Sequence, residues 1–127
     1  MTILVPTIDS GEEIKRALHS WLSNNPYQVV FITIPSAKAE IDELVKTVDP
    51  EGDVVHVITI PKPNKRNQML AGVNYCTTDI IVFCDDDAIW PDTMLKWILA
   101  PFEDRHMGGV GSKYSFFFLI PNQKELN

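Results

Sequence analysis

The chain has 127 residues, with 17 acidic and 11 basic side chains, and a formal net charge of −6. A length of this order predicts one domain at most. An apolar content of 45% argues against a wholly disordered chain. The acidic balance argues against a nucleic-acid partner, since binding phosphates needs clustered Lys and Arg. The longest apolar runs are residues 80–84 and 116–120, far short of the roughly 20 residues of a membrane helix. No membrane span is therefore expected in this chain.

Two further features predict a reducing compartment. Met1 leads directly into an apolar run without a basic leader, so no signal peptide is expected. Cys76 and Cys84 lie in apolar surroundings at no zinc-binding or redox spacing, which predicts buried free thiols. We therefore expect a cytoplasmic chain.

Short apolar runs rich in Val and Ile predict four strands. They cover residues 3–5, 29–34, 54–60 and 80–84. Each run has apolar residues on both faces, as strands of a parallel sheet covered by helices require.

Apolar residues at helical spacing predict four helices between and after the strands. The patterns cover residues 14–22, 41–48, 66–76 and 91–102. Ser10 with Glu13 forms a capping-box pattern before the first helix, and Ser36 is the predicted N-cap of the second. Pro91 is predicted to open the fourth. The alternating order, followed by residues 109–111 and an apolar tail, predicts an α/β domain with a mostly parallel sheet.

Ligands of open α/β sheets bind beyond the carboxyl ends of the strands, and three adjacent carboxylates follow the fourth run. Asp85, Asp86 and Asp87 come directly after Cys84. Like charges about 4 Å apart repel by about 4 kcal/mol at an effective dielectric of 20, and a Mg²⁺ or Mn²⁺ ion would remove this repulsion. If strand geometry continues through the triplet, Asp85 and Asp87 share an orientation. The alternative is a solvated acidic turn ahead of a helix.

Basic and polar residues follow two other strands. Lys65 and Arg66 open a helix after a proline-rich loop, so their charges and free backbone N–H groups could face a diphosphate. The alternative is a solvated basic turn. Thr7 and Asp9 could hydrogen-bond a base or ribose, whereas Asp9 or Ser10 could equally cap the first helix.

Taken together, these segments resemble the nucleotide-sugar-binding half of family 2 glycosyltransferases with the GT-A fold, a family that includes hyaluronan, chitin and cellulose synthases. The similar segments are residues 3–7, 64–72, 82–92 and 108–111, in the family's order. They contain the Pro-Thr after the first strand, the Lys-containing helix start, the Asp-x-Asp strand end and a Gly-Gly-Val-Gly run. The likeness spans residues 2–114, assigned as the nucleotide-sugar-binding domain (1–114). Residues 115–127 are expected to be a divergent apolar tail.

The resemblance implies a truncated, Rossmann-like GT-A fold and a set of site residues. The implied nucleotide-sugar-binding residues are Pro6, Thr7, Lys65, Arg66, Asp85 and Asp86. Asp87 would be the principal metal ligand, together with Asp85. Thr7 would lie near the nucleobase, and Lys65 near the diphosphate with Arg66 close by. The implied cofactor is Mn²⁺ or Mg²⁺, which stabilises the leaving diphosphate as a Lewis acid, and the implied donor is a UDP-sugar.

The sequence departs from the family pattern in two respects. Thr33-Ile34-Pro35 stands where the family has an acidic residue that helps hold the uridine. The motifs that supply the catalytic base and mark processive members do not occur, so no catalytic residue is assigned. We expect an incomplete donor-binding domain for inverting transfer with little or no activity alone. A full-length parent would use a glycan or other hydroxyl acceptor and could be membrane-anchored, with this domain on the cytoplasmic side.

Two alternatives belong to other classes. Asp85 and Asp87 also fit the Asp-x-Asp of haloacid-dehalogenase phosphohydrolases, but Ile89 stands where that family has Thr or Val, and its motif ends the first strand. The other alternative is a non-catalytic truncated product or interaction module, in which residues 116–120 form an exposed strand or sheet edge.

Overall fold

In the computed structural model, helices alternate with strands along most of the chain. Residues 1–9, 11–111 and 115–119 are described, the last of these as backbone only. The elements are β1 (Thr2–Pro6), α1 (Glu12–Leu22), β2 (Gln28–Thr33), α2 (Pro35–Val48), β3 (Val55–Thr59), α3 (Lys65–Tyr75), β4 (Ile80–Cys84), α4 (Met94–Leu99), a 3₁₀ turn (Ala100–Glu103), β5 (Gly109–Gly111) and β6 (Ser115–Leu119). The alternation predicted from apolar spacing is confirmed.

The six strands form one sheet in the order β3-β2-β1-β4-β6-β5. β1, β2, β3 and β4 pair in parallel, which confirms the α/β fold class. β1 lies between β2 and β4, with Thr2 opposite both Gln28 and Ile81. The carboxyl ends of three strands therefore meet at one edge of the sheet, where the chain places its polar residues.

β6 lies inside the sheet rather than at its edge. It pairs antiparallel with β4 on one side and with β5 on the other. The expectation that residues 116–120 form an exposed strand or sheet edge is therefore wrong for residues 116–119, because both backbone edges of β6 are paired. Ile120 lies outside the described residues.

The core has two parts, one on each face of the sheet. Ile3, Val5 and Phe31 pack with α1 and α2 on one face, and Leu4 and Ile32 pack under α3 on the other. Successive side chains of a strand point to opposite faces, so this division explains why the strands are apolar at consecutive positions.

α3 packs closely against the sheet at Gly72. A Cβ atom at this position would lie 2.9 Å from Cδ1 of Ile32 and 3.1 Å from Cδ2 of Leu4. The absence of a side chain therefore brings the helix down onto β1 and β2, and with it the residues at the start of the helix.

Two helices begin differently from the prediction. The N-cap of α1 is Gly11; Ser10, for which the capping box was predicted, lies outside the described residues. The N-cap of α2 is Ile34, and Pro35 takes the first turn. Ser36 lies inside the helix, since the fixed φ of a proline suits the first helical position.

None of the helices in the described part of the chain combines the length and apolarity that a bilayer crossing requires.

Candidate functional site

A cleft of about 490 Å³ opens at the carboxyl edge of the sheet. Its lining comes from the ends of β1 and β4 and from the start of α3. The lining residues are Pro6, Thr7, Ile8, Pro63, Asn64, Lys65, Gln68, Asp85, Asp86 and Asp87. The structure therefore brings together all of the sequence-predicted site residues except Arg66, which is exposed and is not among the described residues of this lining.

The three aspartates form a turn rather than an extension of the strand. β4 ends at Cys84, and the N–H of Ala88 donates to the carbonyl of Asp85 at 3.2 Å. The expectation that Asp85 and Asp87 share a strand orientation is therefore wrong. In the described residues, no group of three or more His, Cys, Asp or Glu side chains converges as a metal site.

Asp85 pairs with the lysine that opens α3. Nζ of Lys65 lies 2.9 Å from Oδ1 of Asp85, and the two side chains are 68% and 63% exposed. The position of Lys65 is set by Asn64, the N-cap of α3, whose side chain accepts from the N–H of Asn67 at 2.9 Å. An exposed pair of this kind stabilises a fold by at most about 1 kcal/mol. Because both side chains are exposed, both charges remain accessible to a ligand.

Thr7 joins the end of β1 to the end of β4. Its hydroxyl donates to Oδ2 of Asp86 at 2.8 Å and accepts from the N–H of Asp9 at 3.1 Å. Asp86 is half-buried and oriented by this bond. Since Gly11 is the N-cap of α1, Asp9 does not cap that helix.

Asp87 is open to a ligand from more than one side. It is exposed, and it lines two further cavities, of about 270 and 240 Å³, as well as the main cleft. Within the described residues its side chain has no hydrogen-bond or ion-pair partner. Asp85 thus pairs with a lysine, Asp86 accepts a hydrogen bond from a threonine, and Asp87 faces the cleft.

Gln68 belongs to the site and was missed by the sequence analysis. It is 3% exposed, and its Nε2 donates to the carbonyls of Thr7 (3.2 Å) and Ile32 (2.7 Å). The available signal was its spacing: Gln68 precedes Gly72 by four residues, so both lie on the face of α3 that packs on the sheet.

α1 and the turn after it hold the segment that follows the aspartates. Trp21 Nε1 donates to the carbonyl of Ala88 (2.8 Å), and the N–H of Trp90 donates to Ser20 Oγ (3.0 Å). Asn24 Nδ2 donates to the carbonyl of Pro91 (3.1 Å), and Asn24 Oδ1 accepts from the N–H of Leu95 (3.2 Å). These contacts, distant in sequence, were also missed. They fix residues 88–95 in an irregular path, and α4 begins at Met94 rather than at Pro91 as predicted.

Comparison with known proteins identifies the family. Residues 2–125 match the model of Glycosyl transferase family 2. The chain belongs to this family. The match runs across residue 114, and the division of the chain at that point stays a prediction.

Fungal relatives agree with this assignment. A type 2 glycosyltransferase of Zymoseptoria tritici is 39% identical over 113 residues, which cover 88% of this chain. An NDP-glycosyltransferase of Aspergillus luteorubrus is 34% identical over 112 residues, 87% of this chain. The chain spans 24% and 27% of the length of these relatives.

Solved structures share the fold at low sequence identity. The mannosyltransferase PcManGT of Pyrobaculum calidifontis, solved in complex with GDP-Man and Mn²⁺, superimposes with a TM-score of 0.73 at 18% identity and covers 93% of this chain and 44% of its own. Residues 1–349 of TarS of S. aureus, solved with UDP-GlcNAc, give a TM-score of 0.63 at 20% identity, covering 83% of this chain and 31% of that 1–349 chain. The GT-A fold class expected from the resemblance is confirmed.

Proposed function

We propose that this chain is the donor-binding part of an inverting family 2 glycosyltransferase and holds a nucleoside-diphosphate sugar, with a UDP-sugar as the first candidate. The observation that carries the proposal is the cleft at the end of β1 and β4, where Lys65 faces an aspartate turn. A diphosphate carries negative charge that Lys65 can neutralise, and α3 offers free backbone N–H groups at the same place. Arg66, one residue further on, would add long-range attraction only.

The residues of the cleft fit a divalent cation held in part by the ligand. Mg²⁺ and Mn²⁺ take hard oxygen ligands, and Mg²⁺ in substrate complexes needs only one or two protein carboxylates beside the phosphates. Asp87 is open to the cleft, and the carboxylate of Asp85 pairs with an exposed lysine. When bound there, the ion would supply Lewis-acid stabilisation of the diphosphate. Asp87 is the proposed principal ligand and Asp85 the second.

The remaining site residues orient the donor. Thr7 fixes the carboxylate of Asp86 through Oδ2, which leaves the other carboxylate oxygen to accept from a ribose hydroxyl. Pro6 and Ile8 provide apolar surface beside them. We assign none of the described residues as the base that deprotonates an acceptor hydroxyl, so we expect donor binding to be separable from transfer in this chain.

Family membership is evidence against the phosphohydrolase alternative, although both classes use paired aspartates at a strand end. Hydrolysis of an aryl phosphate with Mg²⁺ distinguishes the two. We expect no turnover, and turnover that Asp85→Asn abolishes would support the phosphohydrolase.

Titration calorimetry with UDP and Mn²⁺ tests the proposal. We expect binding that requires the metal and weakens at least about tenfold in Asp87→Ala, because a direct charged ligand is lost. Asp92→Ala is the control, since Asp92 is exposed on the same loop and is not among the described residues of the cleft lining. Equal metal-dependent affinity in wild type and Asp87→Ala would contradict the metal assignment, and absence of UDP binding would contradict the donor.

A further inference from the structure

The cleft has a charged side and a neutral side. β1 lies between β2 and β4. The Lys65–Asp85 pair stands over the end of β4, whereas the amide of Gln68 reaches the carbonyl of Ile32 at the end of β2. Between them, Pro6 and Ile8 follow β1, and Ile8 is 53% exposed. The side of the cleft toward β2 therefore offers apolar surface and an amide, which suit a flat heteroaromatic ring rather than a phosphate.

The orientation of the Gln68 amide is fixed by its partners. Both of its hydrogen bonds end on backbone carbonyls, those of Thr7 and Ile32. A carbonyl only accepts hydrogen bonds, so the nitrogen must lie on this side and both of its hydrogens are used. Rotating the amide would set its oxygen against two carbonyl oxygens in a buried environment, which is strongly unfavourable. Gln68 therefore cannot exchange donor for acceptor to suit a ligand.

The oxygen of the same amide remains available to the cleft. Gln68 Oε1 has no donor among the described residues. Among the described residues, one side-chain polar atom is both fully enclosed and without a hydrogen-bond partner, and it is Thr33 Oγ1. Because Gln68 Oε1 also lacks a partner but does not belong to this class, it keeps some exposed surface. Gln68 is 3% exposed and lines the cleft. The small exposed surface of this residue, which contains an unpartnered acceptor, thus faces the ligand space.

We propose that Gln68 reads the base of the nucleotide: its locked Oε1 accepts a hydrogen bond from a ring N–H of the base. The inference rests on the proposed function, because it requires a nucleoside diphosphate in this cleft. A fixed acceptor favours uracil and guanine, which carry a ring N–H between two exocyclic groups. It disfavours cytosine and adenine, whose corresponding ring nitrogen is itself an acceptor and would face Oε1 without a shared hydrogen.

The test measures the affinity of the full 127-residue chain for four probes in the presence of Mn²⁺: UDP, CDP, 3-methyl-UDP and inorganic pyrophosphate. We expect UDP to bind about tenfold more tightly than CDP and 3-methyl-UDP, the effect of about one net hydrogen bond. In Gln68→Met, which keeps the length of the side chain and removes the amide, UDP affinity should fall to that of 3-methyl-UDP. Pyrophosphate affinity should not change, because pyrophosphate lacks a base. Asn74→Ala, an exposed change in the last turn of α3, should leave all four affinities unchanged.

The outcomes separate this proposal from the one on which it rests. If neither UDP nor pyrophosphate binds to the wild type, the donor-binding function fails and this inference fails with it. If UDP binds but 3-methyl-UDP binds equally well, donor binding stands and base reading by Gln68 is overturned, a result that needs no variant to fold. If Gln68→Met folds but loses UDP and pyrophosphate affinity together, Gln68 supports the site structurally and does not read the base.

Discussion

The two faces of the sheet are built very differently. The face toward α1 and α2 buries most of the large core side chains, among them Trp21, Phe31 and Ile41, each at 0% exposure. The face toward α3 has a small buried cluster, Leu4, Val30, Ile32 and Ile81. Yet α3 carries Lys65 and Gln68, which line the cleft. The difference indicates that stability comes mainly from one face, whereas the helix on the other face contributes two side chains to a cleft built otherwise from strand ends.

The first prediction concerns the face toward α1 and α2. Trp21→Ala removes a fully buried ring and the bond to the carbonyl of Ala88, so we expect a loss of about 3–5 kcal/mol in the free energy of unfolding. Urea denaturation measures it. Trp97→Ala, at a side chain that is 68% exposed, should change stability by less than about 0.5 kcal/mol. Similar losses in both variants would contradict the assignment of the main core to this face.

The second prediction concerns the seat of α3. Gly72→Val places methyl groups where even a Cβ would lie 2.9 Å from Ile32 Cδ1, so overpacking should cost about 1–3 kcal/mol. A shift of the helix away from the sheet to make room for the methyl groups would also lower UDP affinity. Gly108→Val is the comparison, since no atom lies within 4 Å of a Cβ built there. If Gly72→Val keeps wild-type stability, α3 does not pack as tightly as its contacts indicate.

The third prediction uses pH to probe the loop that joins α2 to β3. Burial raises the pKa of the Asp49 carboxyl, but N–H donors from Val55, Val54 and their neighbours outweigh it, and the pKa lies below its usual value. This contribution to stability is present above the unfolded-state pKa and is lost as the pH falls through the folded-state pKa. Asp49→Asn should therefore be less stable by on the order of 1 kcal/mol near neutral pH, and the gap should narrow in acid.

Denaturation curves of the two proteins at a series of pH values check this result. Glu51→Gln, an exposed change in the same loop, should show no such trend. A gap that widens as the pH falls would have the wrong sign and would exclude the lowered pKa of Asp49 as its cause.

The smallest effect on stability is expected on the face toward α3, at Lys65. Its ion pair with Asp85 is exposed, so Lys65→Ala should change the free energy of unfolding by less than about 0.5 kcal/mol. UDP affinity should nevertheless fall about tenfold, because a charge that faces the diphosphate is lost. Lys62→Ala, a cation in the preceding loop, is the control. A large loss of stability without a loss of affinity would reverse the division between the two faces.

The sequence predicted the four parallel strands well because apolar side chains dominate each of them; β1, β2 and β4 are mostly buried, and β3 is partly buried. The run at residues 80–84 coincides with β4 (Ile80–Cys84), and those at 29–34 and 54–60 overlap β2 and β3 with ends shifted by one residue. Burial on both faces leaves a continuous apolar pattern that needs no tertiary information. The same holds for the aspartates, since the end of such a run lies at the ligand-binding edge.

The missed features depend on contacts between distant residues. Gln68 is buried because β1 and β2 end beneath it. The segment that begins at Pro91 does not start a helix, and a hydrogen bond from Asn24 Nδ2 to the carbonyl of Pro91 holds it beside the end of α1. The position of β6 between β4 and β5 likewise depends on pairing between distant strands. Local periodicity carries no information on such partners, so the pattern of residues 66–76 could predict a helix but not its role in the cleft.

The place of β6 has a consequence for the order in which the sheet assembles. In the described part of the chain, Gly109–Gly111 joins the sheet through Ser115–Leu119, which follows it in sequence. During synthesis from the N-terminus, the parallel strands can pair as they emerge. β5, in contrast, can pair with β6 only after β6 has been synthesised. Until residues 115–119 have left the ribosome, the open flank of β4 is a bare edge that can recruit another chain. A nascent chain that pauses in this short interval is therefore the form most exposed to aggregation.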